Sequence, residues 1–114
     1  MDKYIINDST SKDEIIGRIN LYLEKIEEAL ALINSDKSKA YSLLVEVRKS
    51  LKDEIKIGEN IKFTTSNNML VNYYNSLEVA FIQSSFKNSS HKDGLETNLR
   101  ETRYELEYLK CMIN

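Results

Sequence analysis

Proline is absent from the 114-residue chain, and glycine occurs only at Gly17, Gly58 and Gly94. These are the two strongest helix breakers, so nothing in the composition cuts long helices short. Tight β-hairpins draw on Asn-Gly or Asp-Gly turns. The one such dipeptide, Asp93-Gly94, has helical patterning on both sides. A single cysteine, Cys111, excludes an internal disulfide framework and a CxxC metal site. A single histidine, His91, excludes the paired Glu-x-x-His motifs of a carboxylate-bridged metal bundle. The three glycines are too far apart for a phosphate-cradling loop. No apolar run reaches the roughly 18 residues of a membrane span, and the opening MDKYIINDST lacks the apolar stretch of a signal peptide. Lys+Arg number 16 against 18 Asp+Glu, a net charge of -2, without the basic excess of a nucleic-acid binder.

What remains is 41% hydrophobic and 30% charged residues, the balance of a globular chain that buries a core. Ser11 followed by Glu14 is the capping-box pattern, in which each side chain satisfies a free backbone N–H. Ile15, Ile19, Tyr22, Ile26, Ala29, Leu30 and Ile33 follow at spacings of three and four, which predicts an amphipathic helix over 12–34. Asn34 to Lys37 is a polar break in which Ser35 or Asp36 can cap the next helix. That helix carries Ala40, Leu44, Val47, Leu51 and Ile55 and stops at Gly58, where a left-handed terminal residue costs glycine little. Residues 59–67 read as a loop. A third helix over 68–86 carries Leu70, Tyr74, Leu77 and Phe81 with Met69 and Ala80 beside them, and 87–93 is a second polar loop. Leu95, Leu99, Thr102, Leu106, Leu109 and Ile113 alternate spacings of four and three, the mark of a helix packed lengthwise on others. The expected fold is all-α: an antiparallel up-down four-helix bundle over 11–114, preceded by an extended segment over 1–10.

Little in the chain suits covalent or acid–base chemistry. His91 falls in a polar loop, and Cys111 lies in a C-terminal helical turn, whose dipole opposes thiolate formation. Asp13/Glu14, Glu27/Glu28 and Asp53/Glu54 read as solvated helix-surface charges. No catalytic, cofactor-binding or metal-ligating residue is expected. The informative residues are apolar ones off the core rows. With Leu95 at zero, Tyr104 and Tyr108 project at about 180° and 220° around the last helix, and Cys111 near 160°. Leu21 and Leu32 lie off the first row, and Tyr41 and Val45 form an i, i+4 pair off the second. Such pairs suit a surface that takes an amphipathic partner segment, and seven tyrosines with no tryptophan fit a contact surface.

In the same order along the chain come Tyr4, then Ser9-Thr10-Ser11 ahead of Glu14-Ile15-Ile16, then Glu28-Ala29-Leu30 and Asn34-Ser35-Asp36. Leu43 to Val47 continuing to Leu51, then Asn68-Met69-Leu70 with Tyr73-Tyr74, and Phe86-Lys87-Asn88 follow. This succession resembles the flagellar secretion chaperones of the FliS type. The resemblance implies a cytoplasmic four-helix protein that holds a disordered client segment, such as the flagellin C-terminus, in grooves between helices. It adds Tyr4, Ile5 and Tyr74 to the partner-binding candidates Tyr41, Val45, Tyr104 and Tyr108. The segment Leu70-Val71-Asn72-Tyr73 is also similar to one in immunity proteins against pediocin-like bacteriocins, which implies a membrane receptor complex as partner. A homodimer that buries Tyr104 and Tyr108 against their copies is the third expectation.

Overall fold

A computed structural model of the protein describes residues 6–85 and 92–113. It contains α1 (Lys12–Leu32), α2 (Lys37–Ile57), α3 (Glu59–Thr64), α4 (Asn68–Gln83) and α5 (Lys92–Ile113), and no strand among the described residues. The all-α expectation holds, with one short helix more than foreseen. Residues 1–5 and 86–91, and with them Tyr4, Ile5, Phe86 and His91, lie outside the described residues.

The helix starts follow local chemistry. Ser11 Oγ accepts the Glu14 N–H at 3.2 Å, and the Glu14 carboxylate accepts the Ser11 N–H at 3.4 Å, which closes the capping box. Of the two candidates for α2, Asp36 is the cap and accepts the Lys39 N–H at 3.1 Å. At α4 the cap is Asn67, which accepts the Met69 N–H at 3.0 Å.

At Gly58 the structure corrects the expectation. Gly58 has φ -84 and ψ 1, right-handed values open to any residue. Its N–H donates to the Glu54 carbonyl at 2.9 Å, and its own carbonyl accepts the Lys62 N–H at 3.0 Å. The chain thus passes from α2 into the six-residue α3, where a loop was expected. The need for glycine is steric, because a Cβ at this position would stand 2.1 Å from Cε1 of Tyr74.

Four long helices form a ring of neighbours. Helix α1 packs on α2 and α5, α4 packs on α5 and α2, and α3 touches α2 and α4. All six residues of the predicted α5 row are buried. Its polar member, Thr102, satisfies its hydroxyl on the Asn98 carbonyl at 2.7 Å. The α1 and α2 rows are buried as predicted apart from Leu30 and Ile55, which are half-buried against the core. Ile6, ahead of α1, is 1% exposed. Its carbonyl accepts the Tyr74 hydroxyl at 2.7 Å, and Asp8 accepts the Thr65 hydroxyl at 2.6 Å. Across the α2–α4 seam the Arg48 guanidinium stacks 4.4 Å from the centre of the Phe81 ring. Among the described residues, no helix is long and apolar enough to cross a membrane.

Candidate functional site

Tyr104 and Tyr108 stand 71% and 52% exposed on α5, and Met112 continues their line at 43%. The three are spaced i, i+4 and i+8, so they form one stripe about 12 Å long. The fully buried Leu99, Leu106 and Leu109 occupy the opposite side of the same helix. Cys111 lies exposed beside the stripe.

The α2 candidates occupy a different surface. Val45 is 40% exposed, while Tyr41 is half-buried against the core. Because α1 and α4 are the principal neighbours of α5, α2 sits diagonally across the ring. Tyr41 and Val45 therefore do not join Tyr104 and Tyr108 in one groove. Tyr74 is 2% exposed. It meets Tyr73 edge to face at 5.2 Å between ring centres, and its hydroxyl is committed to Ile6.

The structure places a buried polar cluster where the sequence suggested a solvated carboxylate pair. Glu54 is 3% exposed. Its Oε2 receives Nη1 of Arg18 at 2.9 Å and the Tyr73 hydroxyl at 2.5 Å, and its Oε1 receives the Tyr22 hydroxyl. One carboxylate thus ties α1, α2 and α4 together, and its lone pairs are met by three donors, which is the condition for keeping a charge inside. The expectation of a solvated Glu54 is corrected. The signal was its place on the buried row, seven positions after Val47 and three after Leu51.

Burial raises the Tyr22 and Tyr73 hydroxyls far above the ordinary phenol range, and the Glu54 charge adds to it. Burial likewise pushes Tyr74 up to about 12. All three remain donors at any physiological pH. A group whose folded pKa is raised stabilises the fold below the unfolded value and loses that contribution as pH rises beyond it. Stability should therefore be level toward pH 10, the ordinary tyrosine value, and fall above it. In a phenolate absorbance titration Tyr22 and Tyr73 should ionise only as the protein unfolds. Tyr73→Phe should remove one tyrosine from that late class. Full ionisation of every tyrosine without loss of helical circular dichroism would contradict it.

A cleft of about 220 Å³ opens between α2, α3 and α4, lined by Ile55, Gly58, Lys62, Phe63, Tyr74 and Glu78. Lys62 and Glu78 form an ion pair, and Phe63 is 78% exposed. Set against protein-family models, curated proteins and solved structures, the chain matches none.

Proposed function

We propose that the protein is a non-enzymatic protein-binding module whose docking face is the outer side of α5, carried on an antiparallel up-down four-helix bundle. The observation behind this reading is the line Tyr104, Tyr108 and Met112, exposed opposite a fully occupied core row. Large amphipathic side chains on one face supply contact area to a partner at little entropic cost. The antiparallel arrangement is supported by the rungs Arg18–Glu54, Tyr22–Ser50 and Lys25–Glu46, which ascend α1 while descending α2. In its most specific form the module is a cytoplasmic export chaperone for a disordered, flagellin-like client segment, the function implied by the resemblance to the FliS type.

A titration calorimeter tests this form. The flagellin C-terminal segment should bind the wild-type chain with micromolar affinity, and Tyr104→Glu/Tyr108→Glu should lose at least about tenfold. No heat of binding at saturating peptide would remove the export-chaperone form. Sedimentation of the free chain separates client binding from self-association.

A further inference from the structure

The tyrosine stripe is bordered by unneutralised acid. Taking Leu95 as zero, Glu101 and Glu105 project at about 240° and 280° and line one side of the stripe, while Glu107 at about 120° stands on the other side beyond Arg100 at about 140°. Glu101 and Glu107 are exposed and Glu105 half-exposed. None of the three forms an ion pair among the described residues. The cations nearby are occupied or turned away. Arg100 is paired with Glu96 at 2.7 Å, and Arg103 with Glu27 of α1 at 3.4 Å. Lys110 projects at about 60°, toward the core edge. The outer side of the adjoining α1 adds exposed Glu24 and Glu28.

From this rim we infer that the occupant of the α5 face is a basic amphipathic helix. Its apolar residues at i and i+4 would lie over Tyr104 and Tyr108, and its lysines or arginines would meet Glu101, Glu105 and Glu107. The inference rests on the reading of α5 as the docking face and adds the chemistry of the partner. Two turns of such a helix match the distance from Tyr104 to Met112, about 12 Å. A second copy of this chain suits the face poorly, because its own α5 brings the same glutamates. In an antiparallel pair centred on Tyr104, Glu101 of one copy meets Glu107 of the other, and like charges in register oppose docking. A polyanionic partner is opposed for the same reason.

Two synthetic peptides with identical apolar positions, one rimmed by Lys and Arg and the other by Glu, test the inference by fluorescence anisotropy against the full chain. The basic peptide should bind about tenfold tighter or more, with a difference that shrinks as salt rises. Glu101→Gln/Glu105→Gln/Glu107→Gln should remove most of the difference, and Tyr104→Ser/Tyr108→Ser should abolish binding of either peptide. These are surface positions, and an unchanged helical spectrum confirms that each variant folds. Equal or tighter binding of the acidic peptide, still dependent on the tyrosines, would overturn the partner chemistry and leave the docking face standing. Binding of neither peptide would overturn both. A dimer of the free chain that Tyr104→Ser dissolves would put a second copy in the peptide's place.

Discussion

Glu54→Ala should cost the fold about 3–5 kcal/mol, read as a drop in unfolding free energy in a urea titration. A domain of this size has only about 5–15 kcal/mol to lose. The loss is large because the deletion does more than remove attraction. It takes from the Arg18 guanidinium, whose side chain is 12% exposed, the carboxylate that meets it at 2.9 Å. It also strands the Tyr73 hydroxyl and leaves Tyr22 only its longer bond to the Ser50 carbonyl, at 3.4 Å, and a buried donor left unmet costs about 1–3 kcal/mol. Tyr73→Phe removes a single donor and leaves Glu54 with two others, so it should cost only about 1 kcal/mol. Replacing the whole cluster with apolar residues of similar volume, as Arg18→Met/Glu54→Leu/Tyr22→Phe/Tyr73→Phe, removes the carboxylate together with its three donors. That variant should recover most of what Glu54→Ala loses, since buried ion pairs exchange for well-packed hydrophobic groups at little cost. A Glu54→Ala variant as stable as wild type would mean that the carboxylate is not enclosed.

Gly58→Ala should cost about 1–3 kcal/mol, the range for overpacking a filled site. On an ordinary exposed helix position the same change is neutral to favourable, and φ at Gly58 would permit it. The opposite sign comes from Tyr74, whose ring occupies the space a methyl group would need. The ring can yield only by giving up its hydroxyl bond to the Ile6 carbonyl, which loosens the N-terminal segment from the core. The penalty should therefore depend on Tyr74. With Tyr74→Leu in the background, Gly58→Ala should cost much less than it does alone, a coupling of about 0.5–3 kcal/mol in a double-mutant cycle. Additive losses would place the strain elsewhere.

Both effects arise from pairings between helices, and this marks the boundary of what the linear sequence reveals. The α5 row was legible because six apolar or small residues repeat at one helical angle, and all six are buried. The capping box at Ser11 was legible because its chemistry is confined to four consecutive residues. Helix α3 was not, since none of its six residues is buried and so none had to follow an apolar period. The role of Gly58 was hidden because its neighbour lies 16 positions away. Glu54 shows its place on the helical wheel, but Arg18, Tyr22 and Tyr73 come from two other helices, and periodicity within one helix does not disclose partners. The outer tyrosines of α5 were found by angle alone, whereas the division of α2 and α5 into separate surfaces required the ring order of the helices.

On this reading the outer face of α5 is where the protein meets its partner. Amide chemical-shift mapping of the labelled full chain, titrated with the basic amphipathic peptide, tests it most directly. Shifts should gather along α5 between Glu101 and Met112 and on the adjoining turns of α1, leaving Tyr41 and Val45 unmoved. Shifts gathered on α2 or around the Phe63 cleft, with α5 silent, would contradict it.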